Sequence, residues 1–414
     1  MPPTSRVRSR ASCACLLLLL GLPAFAAAQI VPSTPVTTAG GRLTVSGEMS
    51  ASLSGHDEYY FNYSDYDYSM LRQVRFDGAG AFRVGPRLSL LADVRVEGAV
   101  GGGSWRVRPY ALFVRLRPWP RREVDVQAGL IPPVFGAFSR RAYATDNPLI
   151  GFPLGYQYLT SLRHDALPVS ADGLLLMRGR GWRTRYGVGN PAPDHGVPLM
   201  DGLDYQTGVE VHAGSEPIEA SVALTAGSLS VPSLDTAAGG VQVSGRVAYK
   251  PVPGLRLGAS ASHGPFVART VVDSLEGSGL ATSNGQTAVG ADIEYSFGYW
   301  VLRSEAIYSR WRIPAIAAPL VSDPLRAFAV YFEGRYRIRP GLYAAARVDR
   351  LDFSDITGNA GTMPWDAPVR RVEAGGGYSL SRNVLAKMVY QYNWRRGVIE
   401  RRAGLASAQL LFWF

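Results

Sequence analysis

The chain has 414 residues, a formal net charge of +10 and a mean hydropathy of zero. It contains only 2 cysteines, Cys13 and Cys15, so disulfide staples and thiolate metal sites are excluded for the rest of the chain. Glycine (46 residues) exceeds its ordinary share of about 7%, and apolar and polar residues are finely mixed.

The N-terminus carries Arg6, Arg8 and Arg10, then the run Leu16 to Leu20, then Ala24-Phe25-Ala26-Ala27-Ala28. A charged region, a short apolar region and an A-x-A site make a cleavable secretory signal over 1–28. The apolar run is too short for a retained membrane helix of about 20 residues, and no later stretch is long enough either. Nearly all cationic residues are Arg, the lysines being Lys250 and Lys387. The arginines are scattered along strands behind a secretory signal, which argues against a nucleic-acid partner.

A Pro/Thr/Gly-rich leader (29–41) precedes a barrel region (42–414) in which period-two alternation hardly stops. Over Leu43 to Ser54, the residues Leu43, Val45, Met49 and Leu53 oppose Thr44, Ser46, Glu48, Ser50 and Ser52. Over Thr287 to Phe297, Val289, Ile293, Tyr295 and Phe297 oppose Gly290, Asp292, Glu294 and Ser296; Phe328 to Ile338 reads the same way. Successive strand side chains point to opposite faces, so each segment has one apolar and one polar wall. Such segments match membrane strands of roughly 9–11 residues better than the 5–6 of soluble sheets.

Tight turns at Gly85-Pro86, Pro118 to Pro120, Gly179-Arg180-Gly181, Gly214 to Glu216, Pro251 to Gly254, Gly298-Tyr299, Pro340-Gly341 and Ser381-Arg382 alternate with longer polar connections. Short turns on one rim and long loops on the other are the outer-membrane pattern. The expected fold is all-β, a transmembrane antiparallel up-and-down β-barrel of about 18 strands, with 16 as the alternative. Aromatics at strand ends, among them Trp182, Tyr249, Trp300, Tyr308, Trp311 and Trp394, read as interfacial girdles. The final segment, Ala406 to Phe414, alternates up to its last residue, as a closing strand would.

A barrel of this size leaves an aqueous channel, which makes the inward set the functional surface. The inward bases are read as Arg95, Arg115, Arg117, Arg183, Arg185, Arg246, Arg256, Arg303, Arg335, Arg347 and Arg371, together with Lys387. The inward acids are Asp93, Glu123, Asp125, Glu210, Asp292, Glu294, Glu305, Glu333 and Glu373. The near balance predicts cross-strand pairing, and a slight surplus of base predicts a weak anion preference. The long loop 131–169 is rich in apolar and aromatic residues, which predicts burial inside the barrel. Arg140, Arg141, Asp146, Asn147 and Arg163 would then reach the eyelet. The Tyr- and Asp-rich stretch Asp57 to Tyr68 reads as a solvated loop. His56, His164, His195, His212 and His263 stand in no ligand spacing, so neither an enzyme, a metal site nor a cofactor is expected.

The signal, the alternating strands and Phe414 together resemble the Gram-negative outer-membrane porin families. Asp125-Val126-Gln127-Ala128-Gly129-Leu130-Ile131-Pro132-Pro133-Val134-Phe135-Gly136 is similar to a strand-to-loop passage of phosphate-selective-porin-like proteins. The chain lacks the lysine-rich constriction of those porins, so phosphate selectivity is not implied. The resemblance implies that Phe414, with Phe412, is the tag read by the barrel assembly machinery. It also implies a setting of outer-membrane lipid and lipopolysaccharide, small polar solutes as cargo, and a homotrimer as one assembly open to the chain. The function expected is passive diffusion of small polar solutes. Its alternatives are a gated or substrate-specific barrel for acidic solutes or polysaccharide, and a non-conducting structural or adhesive barrel.

Overall fold

The computed structural model describes residues 35–63, 69–100, 105–119, 122–141, 143–202, 204–232, 240–276, 285–314, 316–321, 324–397 and 400–414. The segment 1–28, expected to be a signal, lies outside the described residues. Sixteen long strands form one closed antiparallel sheet. They are β1 (Leu43–Ser54), β2 (Gln73–Arg83), β3 (Leu88–Ala99), β4 (Trp105–Leu116), β5 (Glu123–Ile131) and β6 (Gln206–Ser215). Next come β7 (Ile218–Ala226), β8 (Val241–Val252), β9 (Leu255–Pro265), β10 (Gly285–Phe297) and β11 (Trp300–Trp311). The last five are β12 (Leu325–Arg339), β13 (Leu342–Phe353), β14 (Val369–Ser381), β15 (Val384–Arg395) and β16 (Arg401–Trp413).

Each strand pairs with its neighbour in sequence, and β1 pairs with β16 to close the ring, Ser54 facing Ser407 and Glu48 facing Trp413. At the seam Phe414 and Gly47 exchange both backbone hydrogen bonds, at 3.0 and 3.1 Å. The Phe414 ring lies over Gly47, where an added Cβ would sit 2.6 Å from Cε1; only glycine leaves that space. The short strand Val36–Thr38 pairs with the start of β1, facing Val45 to Leu43.

The alternation sorts as expected. Met49, Leu53, Val289, Ile293, Phe328, Phe332 and Leu410 are exposed on the outside, forming an apolar surface that a water-soluble protein would bury. Tyr249, Phe297, Trp300 and Tyr378 are exposed near the short turns. Two aromatics depart from the girdle reading. Trp311 is fully buried on the inner face, and Trp182 lies in a long connection, stacked on Tyr60 at 4.0 Å between centroids.

The strand count is 16 and not 18 because residues 132–205, between β5 and β6, contribute no wall strand. The segment around Gly179-Arg180-Gly181, expected as a hairpin, instead holds the helix α2 (Ala171–Leu176) after α1 (Leu154–Gln157). Ser170 starts α2 as its N-cap, accepting the Gly173 N–H, and Asp172 sits favourably in the first turn. A local hairpin pairs Ala166–Leu167 with Val188–Gly189. A third helix, α3 (Arg269–Glu276), lies between β9 and β10.

These connections build an apolar core at the long-loop end. Phe61, Leu154, Tyr158, Leu162, Leu174 and Phe266 pack on inward wall residues Trp311, Leu325, Leu351 and Val369, with Trp365 among them. Burial of each such side chain stabilises by about 1.5–3 kcal/mol. The Asp57 stretch is therefore not simply solvated. Asp57, Phe61 and Asn62 are buried, with Asn62 donating to Asp57 at 2.9 Å and to Gln391 of the wall at 2.7 Å; residues 64–68 lie outside the described residues.

Candidate functional site: the charged lumen

The inner wall fastens the 132–205 segment by charge. Glu48 on β1 accepts the N–H groups of Ala144 (2.7 Å) and Thr145 (3.0 Å). Lys387 on β15 donates to the carbonyls of Ala144 (2.5 Å), Asn147 (2.6 Å) and Leu149 (3.3 Å). Glu373 on β14 accepts from Ile150 (3.2 Å) and Gly151 (2.9 Å). Arg371 donates to the Phe152 and Phe61 carbonyls at 2.9 and 2.8 Å. Asp349 on β13 accepts the Leu154 N–H, and Glu305 on β11 accepts those of Ala137 and Phe138. On flanking strands, Tyr143 donates to Asp93 on β3, and Ser260 on β9 accepts from Gly136. Partners from so many strands of one closed ring tie this segment to the wall residues along its length. Each bond also satisfies a backbone group that would be costly to bury alone.

Between these anchors runs a guanidinium–carboxylate grid. Glu333 receives Arg141 (3.0 Å), Arg347 (3.3 Å) and Arg303 (3.4 Å). Arg347, fully buried, also reaches Glu373 at 2.7 Å, Asp349 at 3.2 Å and the Gly151 carbonyl at 2.7 Å. Arg246 is forked onto Asp292 at 2.5 and 2.8 Å, and Arg303 meets Glu294 at 2.5 Å. A cavity of about 120 Å³ opens beside this grid. Four guanidiniums (Arg141, Arg246, Arg256, Arg303) and two carboxylates (Asp292, Glu294) line it, beside Tyr331, Ala137, Ile293 and Ser304.

No protein-family model matches the chain, and no curated protein matches it. Solved structures do. OmpF of Salmonella typhi, in complex with daunomycin, aligns with a TM-score of 0.56 at 11% identity, covering 92% of this chain and 100% of the other. The outer membrane channel DcaP of Acinetobacter baumannii gives 0.54 at 10% identity, covering 92% and 99%. An anion-selective porin from Comamonas acidovorans gives 0.52 at 12% identity, covering 90% and 99%.

The fold is that of the Gram-negative outer-membrane porins. Within this porin fold, Arg95, Arg115, Arg246, Arg256, Arg303, Arg335, Arg347 and Arg371 point inward, as do Asp93, Asp125, Glu210, Asp292, Glu294, Glu305, Glu333 and Glu373. Arg95 is fully buried, paired with Asp77 at 2.5 Å and stacked 3.4 Å from the Tyr110 ring centre. Arg335 lies 5.1 Å from the Tyr343 ring centre.

Several expected positions are corrected. Arg183 and Arg185 are exposed in the 132–205 connection, because no strand forms there to carry them inward. Arg117 is exposed beyond the end of β4, and Glu123 is exposed as the first residue of β5; both stand at the short-turn rim. Arg163, expected at the eyelet, is buried inside the connection, donating to Asp165 (2.7 Å) and to the carbonyls of Ala192 (2.6 Å) and Thr184 (3.2 Å). Asn147 is buried too, bracing its own turn through the Gly151 carbonyl and the Leu149 N–H. The Asp146 side chain keeps solvent access, and partial loss of its hydration, with Glu48 close by, raises its carboxyl above the ordinary value. Arg141 joins the grid and the cavity, whereas the side chain of Arg140 lies outside the described residues.

Within the connection, burial pushes Asp165 up, but hydrogen bonds from Arg163 and Asn190 outweigh it and hold the carboxyl low. Burial lowers His164, against the opposing pull of Asp165. Burial raises Asp366, against the pull of N–H donors from Gly179, Ala367 and Ser161.

Arg106 and Arg108 also point inward, and their role was not read from the sequence. Arg108 bonds Glu97 at 3.1 Å and pairs with Asp204. A bulge near Pro109 flips the parity of β4, so even positions face inward before it and odd ones after. Proline inside a strand pattern is the signal that marks such a bulge.

Proposed function

We propose that the chain forms an aqueous channel in the outer membrane of a Gram-negative cell and passes small polar solutes by diffusion, with a weak preference for anions. The arginine-rich cavity carries this reading: four guanidiniums face two carboxylates where the inserted segment meets the wall of β8 to β12. Guanidinium forks suit carboxylate and phosphate groups of passing solutes. Phe414 and Phe412 serve as the assembly signal, a role consistent with Phe414 holding the closing seam. Catalysis is not part of the proposal. His212 Nδ1 lies 2.9 Å from Ser221 Oγ, yet the backbone N–H groups around them are engaged in the barrel ladder and leave no donors for an oxyanion.

A second reading, a gated barrel for acidic solutes, is favoured by one observation. The 132–205 segment has its own apolar core and is fastened along its length, as a structured gate would be. Liposome swelling tests the channel. Vesicles containing folded protein should swell in small sugars and amino acids, at rates falling with solute size and higher for anions than for cations of equal size. No entry of any solute by a correctly folded barrel rejects the reading.

A further inference from the structure

A second cavity, of about 230 Å³, lies at the long-loop ends of β6 and β7. Parts of 156–164 and 195–204 form one side, and Ser230 to Pro232, shortly after β7, form the other. It shares no lining residue with the arginine-rich cavity, and its chemistry is the reverse. Among the described residues no arginine or lysine lines it. Its polar side chains include two carboxylates, two imidazoles, a carboxamide and a hydroxyl.

The carboxamide is that of Gln157, the last residue of α1. Gln157 is only 2% exposed, and neither Oε1 nor Nε2 has a hydrogen-bond partner. A buried amide in that state is costly unless something brings it both a donor and an acceptor. Its neighbours hold it in place. The Leu154 N–H donates to Asp349 at 3.2 Å, Tyr156 Oη donates to Glu305 at 2.5 Å, and the Met200 N–H donates to the Gly155 carbonyl at 3.1 Å. His195 and Asp204 are only partly covered, so the cavity has a buried end at Gln157 and an accessible rim.

Leu159, Val197, Pro198, Val231 and Pro232 add apolar surface, whereas His164, His195, Asp201 and Ser230 add hydrogen-bonding groups. A neutral sugar ring has the matching character, with C–H groups on its faces and hydroxyls around its edge. Each hydroxyl both donates and accepts, so two adjacent ones satisfy both arms of a carboxamide. The volume lies below the roughly 300–1,000 Å³ of sites for drug-sized ligands, which suits a single ring. Charge decides against ionic occupants. An anion would meet Asp201 with no lining cation to receive it. A cation would find Asp204 paired with Arg108 and Asp201 engaged as well, and the described residues hold no cluster of three or more metal-ligating side chains. We propose that this cavity binds one neutral sugar ring at the outer end of the barrel, with Gln157 pairing two adjacent hydroxyls. The proposal needs small solutes to reach the long-loop end but needs neither conduction nor anion preference. Silent bilayers would leave it standing, and its failure would leave the channel standing.

The test uses the full barrel in a detergent without a sugar headgroup, with binding read by isothermal titration calorimetry and saturation-transfer NMR. The probes are glucose, galactose and mannose, together with the uronic acid and amino-sugar counterpart of each. At least one neutral hexose should bind saturably, and its uronic acid should bind on the order of tenfold more weakly or worse. Gln157→Leu should weaken the hexose on the order of tenfold or more without lowering the unfolding temperature, since it takes an unpaired amide out of the interior. Asp201→Asn supplies a separate arm and should narrow the gap between the hexose and its uronic acid. Four results would each overturn the proposal: no saturable binding of any of the three hexoses, a charged counterpart that binds as tightly as its hexose, undiminished binding by Gln157→Leu, or an unchanged gap in Asp201→Asn.

Discussion

Changing Arg256 and Arg303 together to glutamate should reverse the ionic preference of the channel. Both line the lumenal cavity in which four guanidiniums face two carboxylates. The double change moves the local charge by four units. At roughly 8 Å in water a unit charge acts on a passing ion with about 0.5 kcal/mol, and salt at 0.1 M screens about half of that. The shift of about 1 kcal/mol acts with opposite sign on anion and cation, so the anion-to-cation permeability ratio should change on the order of thirtyfold. The measurement is the zero-current potential in a salt gradient. It should change sign in the glutamate double variant and move about half as far in Arg256→Gln/Arg303→Gln. A potential that stays put in both variants places the conducting path away from this cavity.

The second large effect falls on stability. Arg347 is fully buried and holds Glu333, Asp349 and Glu373 together while donating to the Gly151 carbonyl. Arg347→Ala leaves carboxylates buried without their shared cation, and breaking a buried pair in this way costs about 3–5 kcal/mol. Reversible denaturant unfolding in detergent should show that loss in the midpoint. Pairing Arg347→Met with Glu373→Gln should recover part of it, because it removes charge from both sides of the pair. The same loss in the double variant would mean that side-chain shape, and not charge pairing, sets the cost.

Much of the wall was legible because a membrane barrel imposes one rule on every strand. Lipid outside and polar interior inside make period two visible at Thr287 to Phe297 and at Phe328 to Ile338, and both sort as read. The tight turns follow from Gly and Pro at Pro251 to Gly254 and Pro340-Gly341, where Gly254 and Gly341 have positive φ. The rule ends where the chain leaves the wall. Gly179-Arg180-Gly181 has hairpin chemistry, but the Leu174-Leu175-Leu176 run before it lacks alternation and follows a Ser170 cap, which are helix signals. Arg163 illustrates a different limit. Its partners are two carbonyls some twenty to thirty residues away and the nearby Asp165, so its role depends on a loop fold with no periodic signature. The parity flip at Pro109 likewise hid Arg106 and Arg108, although the proline itself was in view.

Lys387 shows what the inserted segment adds to a list of inward charges. Read from sequence it is one of many wall cations; in the folded chain it gathers three carbonyls of the 132–205 segment. Wall charges therefore divide into two kinds. Glu48, Lys387, Glu373 and Arg371 position the segment, whereas Arg246, Arg256, Arg303, Asp292 and Glu294 remain at the cavity where a solute would pass.

Single-channel current through the purified barrel in a planar bilayer tests this account most directly. The account predicts discrete, ohmic conductance steps with a zero-current potential of anion-selective sign. Bilayers that stay silent after insertion of correctly folded barrels would contradict it.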